Sequence, residues 1–255
     1  MKKIQNWGPK DFELENTTVW SFPVRGNWAT HDSKRRGNWS PYIPRNIILR
    51  YSDERDLILD QFAGGGTTLV EAKLLNRNII GTDVNYESIQ RCQEKIDFNL
   101  DDRKLGKVKL KNADARNLDF IDNNSIDLIC THPPYANIIK YSENNPRDLS
   151  LLNIDKFLIE MKEVAKECFR VLKDDKYCAI LMGDTRKDKH MVPLAFSVMK
   201  IFEDEGFVLK ELIIKEQHNT KATGFWKKRS IEYNFLLIAH EYLFIFRKHT
   251  KTRSF

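Results

Sequence analysis

Beyond about residue 44 the chain alternates short apolar runs with longer stretches whose apolar positions recur every three or four residues. The apolar runs predict strands over 57–60, 78–83, 107–112, 126–131 and 177–182. The periodic stretches predict helices over 67–76, 86–100, 154–172 and 192–205. The clearest is 154–172, where Phe157, Leu158, Met161, Val164, Ala165, Cys168, Phe169 and Leu172 share one face. Another helix is expected to lead up to Tyr51, with Pro44 in its first turn, and Gly206 closes the helix that begins at 192. Two further strands, 207–215 and 234–247, close the chain without a helix of comparable strength between them. The second strand is expected to break near Ala239 and His240.

Alternation of this kind predicts a mostly parallel, seven-stranded sheet with helices on both faces and an antiparallel hairpin at one edge. No Pro/Gly/Ser-rich linker divides the chain. A single domain over 1–255 is expected, with an irregular arm over 1–43 and an α/β core over 44–255. The arm carries one short strand near 17–22. It also holds the only local repeat: Arg25-Gly26-Asn27-Trp28 returns as Arg36-Gly37-Asn38-Trp39. Coincidence and a pair of similar turns both account for it.

Composition narrows the class. The 255 residues are 41% hydrophobic and 11% aromatic, enough for a globular core. No apolar run approaches the ~20 residues that cross a bilayer, and no apolar stretch follows the basic start, so neither a membrane span nor a secretory leader is expected. The four cysteines are scattered, as expected of reduced thiols in a cytoplasmic protein. The six histidines include no pair at metal-ligand helical spacing, and no metal site is expected. The net charge of +6 permits a polyanionic partner. Basic residues gather at 31–36, 186–190, 221–229 and 247–253, some with aromatics interleaved, as for a nucleic-acid surface.

Two loops carry the chemistry. The first is Asp60-Gln61-Phe62-Ala63-Gly64-Gly65-Gly66-Thr67-Thr68. In an open α/β sheet, ligands bind beyond the carboxyl ends of the strands, where this loop begins. The glycines let the backbone turn tightly and approach a ligand. Thr67 and Thr68 open a helix whose free N–H groups face it. Asp83, ending the next strand, can accept hydrogen bonds from a ribose diol. Asp114 can meet an adenine amino group. Taken alone, a glycine triplet is an ordinary strand–turn–helix. The Gly-x-Gly-x-x-Gly pattern and the phosphate-loop lysine are both missing, which favours a nucleoside cofactor over a pyrophosphate.

The second loop is Thr131-His132-Pro133-Pro134-Tyr135. Exocyclic amines of bases are poor nucleophiles, because the nitrogen lone pair is delocalised into the ring. Acceptors at fixed positions can hold the N–H bonds so that the lone pair faces an electrophile. Consecutive prolines restrict the loop and remove competing N–H donors, and Tyr135 offers a face for stacking. The target base must leave the helical stack for this chemistry. A lone Pro-Pro-Tyr reads as a strand-ending turn. Its place after a buried strand, downstream of a cofactor loop, changes that reading.

The two motifs in this order resemble those of the amino-methyltransferases of restriction–modification systems, which are class I S-adenosylmethionine (SAM)-dependent enzymes with a Rossmann-like fold. The first loop is similar to the family's Asp-Pro-Phe-Ala-Gly-Ser-Gly-Thr-Thr, with Gln61 and Gly65 as departures. Gly81-Thr82-Asp83 is similar to its acidic motif. Asn38-Trp39-Ser40-Pro41 resembles the segment that closes over SAM, and the run from Ala239 to Lys248 resembles the edge strand near the base pocket. The resemblance implies SAM as cofactor, held by Trp39, Ser40, Pro41, Asp60, Phe62, Ala63, Gly64, Gly65, Gly66, Thr67, Thr68, Asp83, Asp114, Ala115 and Thr131. It implies catalysis by His132, Pro133, Pro134 and Tyr135.

His132 stands where the family has Ser, Asp or Asn. A neutral imidazole accepts only one hydrogen bond, which shifts the grip on the amine toward the Pro133 carbonyl or makes His132 a proton acceptor. Thr131 ahead of it matches a form associated with N4-cytosine enzymes and ranks cytosine N4 before adenine N6 in duplex DNA. No stretch is long enough for a separate recognition domain. Lys140, Tyr141 and Arg147 in 136–152, Arg186, and Lys221, Trp226, Lys227, Lys228 and Arg229 are the expected DNA contacts. A homodimer or a separate specificity or restriction partner would supply the rest. The competing readings are an RNA base methyltransferase, a non-catalytic nucleic-acid-binding subunit and a nicotinamide oxidoreductase.

Overall fold

The structure is a computed structural model and describes residues 2–4, 6–32, 37–101, 103–218 and 223–249. Its centre is a parallel block. Strand β3 (Leu57–Asp60) pairs with β4 (Asn78–Asp83) on one side and with β7 (Ile126–Thr131) on the other. Beyond β4 lies β6 (Val108–Asn112), and beyond β7 lies β8 (Leu172–Met182). The sheet continues through β12 (His240–Lys248) and β11 (Phe207–Glu216) to β2 (Val19–Trp20). Only β12 runs against its neighbours: it is antiparallel to both β8 and β11, while β2 is parallel to β11.

Among the described residues the sheet therefore has eight strands where seven were expected, and the closing hairpin is not its edge. The added strand β2 is two residues long, with Val19 opposite Ile214 and Trp20 opposite Lys215. Two more short pairings flank the sheet. Strand β1 (Lys2–Lys3) joins β5 (Phe98–Asn99), and β9 (Thr185–Lys187) forms a hairpin with β10 (His190–Val192).

Helices cover both faces. On one face α4 (Ile154–Val171) and α5 (Leu194–Glu205) bury Phe157, Met161, Val164, Val198 and Phe202 against the sheet. The Asn153 side chain caps α4 by accepting from the Lys156 amide at 3.0 Å. Gly206, at φ 116°, ends α5. On the other face lie α1 (Tyr42–Tyr51), α2 (Thr67–Leu74) and α3 (Tyr86–Ile96). They bury Ile43, Ile47, Leu69 and Cys92. Strand β7 is buried at every position, as a central parallel strand should be. Its one charge, Asp127, is paired with Lys173 at 2.7 Å.

The arm joins this packing. Trp20, Trp28 and Trp39 are buried. Trp28 Nε1 donates to Glu71 on α2 at 2.6 Å, and His31 and Arg45 approach the same carboxylate at 2.7 and 3.1 Å. The repeat's two glycines, Gly26 and Gly37, adopt φ of 85° and 86°, which matches a pair of similar turns, although Arg36 lies outside the described residues.

Helix α6 (Thr223–Glu232) lies between the last two strands, where no helix of strength comparable to the others was expected. Its apolar residues include the exposed Phe225, Trp226 and Ile231, so no buried stripe marks it in the sequence. Strand β12 begins at His240, at the expected break, and β8 begins at Leu172, directly after α4. Among the described residues no helix is long and apolar enough to cross a membrane.

Candidate active site

Chain order reverses direction at β3: the strands before β7 build outward through β4 and β6, and β7 starts afresh on the opposite side. The crevice at such a point, beyond the carboxyl ends of the strands, is where open α/β sheets bind ligands. Asp60 ends β3 and Thr131 ends β7, so both motif loops emerge side by side. The Thr131 hydroxyl donates to Asp60 Oδ1 at 2.8 Å and ties them together.

Two cavities meet there. The first is narrow, about 70 Å³, and is lined by Trp39, Asp60, Phe62, Ala63, Gly64, Gly65, Thr67, Asp83, Asp114 and Ala115 from the expected cofactor set. Gly64 and Gly66 take φ of 52° and 78°. Asp83 turns back on the loop, accepting the Gly64 amide at 2.9 Å and the Asn85 amide at 2.8 Å. A Cβ on Gly65 would sit 2.2 Å from Asn38 Oδ1, so a larger residue there has to push the Asn38 side chain aside. Asn38 lies over the glycine backbone, and its buried Nδ2 has no hydrogen-bond partner among the described residues. Burial raises the Asp60 carboxyl to about 6, against hydrogen bonds from the loop that pull it down. Both Asp114 oxygens accept from Arg116, at 2.9 and 2.6 Å.

Five residues of the expected cofactor set stand behind the wall. Ser40 donates to the Arg25 carbonyl at 2.8 Å and faces the second cavity. Pro41 is buried ahead of α1. Gly66 caps α2, Thr68 is buried in its first turn, and Thr131 holds Asp60.

The second cavity is a broad groove of about 860 Å³. Pro133 and Tyr135 line it, together with Arg186 and Trp226. Trp39, His132 and Tyr141 line both cavities and mark their junction. His132 stacks on Trp39 at 5.4 Å between centroids and 22° between planes. Burial lowers the His132 imidazole to about 4 and pushes the Tyr135 phenol well up. The His132 ring is therefore neutral in neutral solution.

Sequence reasoning missed several groups here. Asn85 lines the first cavity without a motif to announce it, and Asn38, which opens the Asn-Trp-Ser-Pro segment but was not among the expected cofactor contacts, lines it as well. Lys215 and Glu241 line the groove, Glu241 accepting from the Tyr135 hydroxyl at 2.9 Å. Arg147 was expected to meet nucleic acid, but it lines the cofactor-side cavity. Its loop is pinned to the β4–α3 turn: Asn145 donates to the Val84 carbonyl at 2.9 Å, and Asn85 donates to Asp148 at 3.3 Å. Lys140, Lys227, Lys228 and Arg229 are exposed and line neither cavity. Arg229 lies over the Phe225 ring at 4.5 Å. Lys221 lies outside the described residues.

A crevice at the reversal of strand order, with a glycine loop on one side and His-Pro-Pro-Tyr on the other, is the arrangement of a class I SAM-dependent methyltransferase fold. A family model described as DNA methylase matches residues 2–94 and 126–255, and the chain belongs to that family. It is 35% identical over 95 residues to the Type II methyltransferase M2.MboI of Moraxella bovis, covering 37% of this chain and 33% of that one. It is 31% identical over 101 residues to a tRNA (guanine(10)-N2)-dimethyltransferase of Methanothermobacter thermautotrophicus, covering 39% and 28%. The chain thus spans about a third of the length of these curated relatives. A SAM-dependent methyltransferase of Methanosarcina mazei shares the fold, with TM-score 0.57, 18% identity and coverage of 80% and 98%.

SAM is the cofactor that the family and fold imply, and the first cavity fits it. The buried Asn38 amide donor has no partner among the described residues, and it lines this cavity together with the bare backbone of Gly64 and Gly65 and the Asp83 side chain.

Proposed function

We propose that this chain transfers a methyl group from SAM to the exocyclic amine of a base in duplex DNA, with cytosine N4 ahead of adenine N6. The observation that carries this reading is the position of His132, at the junction of the narrow cavity and the broad groove. The cavity takes the cofactor and the groove takes the extruded base, so the two reacting centres meet at the His-Pro-Pro-Tyr loop.

Phe62, the glycine loop and Asp83 hold SAM, and Asn38 bonds to it through its free amide. When bound, SAM supplies an electrophilic methyl on a sulfonium. Tyr135 gives its ring face to the base. The Pro133 carbonyl and His132 accept the N–H bonds of the amine and orient its lone pair. His132 is suited to this because a neutral imidazole has a lone pair to offer. No cysteine is required, since the amine attacks directly. Preference for cytosine rests on Thr131 ahead of His132.

Exposed Lys227, Lys228 and Arg229 on α6, with Trp226 at the groove wall, suit a phosphate backbone and an unstacked base. A second copy or a specificity partner completes sequence recognition. The likeness to a tRNA dimethyltransferase supports an RNA amine as the second reading. Methyl-labelled SAM offered with equal amounts of duplex DNA and RNA tests the choice. Label in DNA supports the proposal, and label confined to RNA overturns it.

A further inference from the structure

Lys215 on β11 and Glu241 on β12 face each other as direct partners across the antiparallel pair. Lys215 Nζ lies 2.9 Å from Glu241 Oε2, and Glu241 Oε1 accepts the Tyr135 hydroxyl at 2.9 Å. The same phenol oxygen lies 2.7 Å from His132 Nε2. The four side chains form one unbranched line that ends on the imidazole at the junction of the two cavities. Gly183, just past β8, makes room for it: a Cβ there would sit 2.6 Å from Tyr135 Cε2.

Chemistry fixes the direction of every hydrogen in this line. An ammonium only donates and an ionised carboxylate only accepts. Burial pushes the Glu241 carboxyl up, but the Lys215 ammonium and the hydrogen bonds from Lys215 and Tyr135 pull it down, and the net displacement is downward. Glu241 is ionised, so the Tyr135 hydroxyl gives it its one hydrogen. The phenol oxygen can then only accept, and His132 Nε2 must be its donor. A neutral ring with hydrogen on Nε2 carries its lone pair on Nδ1.

We infer that Lys215, Glu241 and the Tyr135 hydroxyl are a positioning relay that locks His132 in the Nε2–H tautomer, leaving Nδ1 to take the proton of the substrate amine. This rests on the amine-methyltransferase reading above. As the amine nitrogen bonds the methyl carbon, the carbon–sulfur bond of the sulfonium breaks and the nitrogen becomes positive. An N–H bond then breaks, Nδ1–H forms, and the charge passes to the imidazole and on to water. Where Ser, Asp or Asn occupies the first position, the residue has an oxygen acceptor and no tautomer to set. The tyrosine hydroxyl therefore has a task in this chain that a phenylalanine ring could not perform.

Two-bond proton–nitrogen NMR of the protein labelled at histidine nitrogens reads the tautomer without any reaction. Hydrogen on Nε2 is expected in the wild type, with Nδ1–H growing in on Tyr135→Phe or Glu241→Gln. Hydrogen on Nδ1 in the wild type overturns the relay. A kinetic cycle reads its consequence. Tyr135→Phe, which keeps the ring, should lower kcat about 10²-fold with SAM affinity unchanged. In a His132→Asn background the same substitution should cost several-fold less. Equal losses in both backgrounds overturn the relay. A wild type with the Nε2–H tautomer that methylates no amine overturns the underlying functional reading and leaves the tautomer lock standing.

Discussion

The Thr131 hydroxyl donates to Asp60 Oδ1 at 2.8 Å, joining the last residue of β7 to the last residue of β3. Through this one bond the glycine loop and the His-Pro-Pro-Tyr loop share a fixed geometry. The carboxylate that receives it is buried at the switch point of the sheet, where charge is expensive.

Asp60 therefore costs the fold stability. Its carboxyl ionises near 6 in the folded protein, raised from 3.8 by burial. Between those values the folded state binds more protons than the unfolded one, so stability falls as pH rises through the window. Above about pH 6 the full penalty applies, on the order of 3 kcal/mol. Asp60→Asn should raise the urea midpoint at about pH 8, by roughly 1–3 kcal/mol in free energy, with the gain fading by about pH 4. A constant gain across pH would show that the carboxylate charge is not its source.

Cofactor and base should separate by mutation. Asp83→Ala removes the acceptor that braces Gly64, and should weaken SAM binding at least about tenfold, measured by calorimetry. Tyr135→Ala removes the groove-side ring. It should abolish transfer while SAM affinity stays within about threefold. Equal loss of SAM binding in both variants would count against the division of the site into two cavities.

His132 should not behave as an ordinary histidine. Burial brings its folded value to about 4, below the usual 6.5. The folded state then binds fewer protons than the unfolded one between these values. This contribution to stability is intact above about pH 6.5 and is lost as pH falls toward about 4. In an NMR titration from about pH 8 to about pH 5.5 its ring resonances should stay flat. A midpoint near 6.5 would mean that the ring is solvated and unfit to stay neutral.

Helix α6 should act through charge. Each phosphate contact contributes about −0.9 to the slope of log affinity against log salt on duplex DNA. Replacing Lys227 and Lys228 together by Ala should flatten that slope by about one to two, with little change in SAM affinity. An unchanged slope would place the DNA backbone elsewhere.

Much of the sheet was legible because its signals are local. Strands β3, β4 and β7 have the expected bounds, since each is an apolar run ended by a loop signal. The adjacency of the two motif loops follows from the rules of parallel sheets. Other features depend on partners far away in the chain. Strand β2 exists only because Val19 and Trp20 meet Ile214 and Lys215. Helix α6 is exposed and has no buried stripe to reveal it. Lys215 and Glu241 become neighbours only through the register of β11 on β12. Arg147 sits in a polar, basic loop, and nothing local shows that Asn145 and Asp148 fold that loop onto the cofactor side.

The most direct test of the central claim is nucleoside mass spectrometry of mixed-sequence duplex DNA after incubation with the protein and methyl-labelled SAM. The account predicts labelled N4-methylcytosine, or labelled N6-methyladenine if the groove takes the larger base. Labelled C5-methylcytosine, or no labelled base with SAM demonstrably bound and the fold intact, would contradict it.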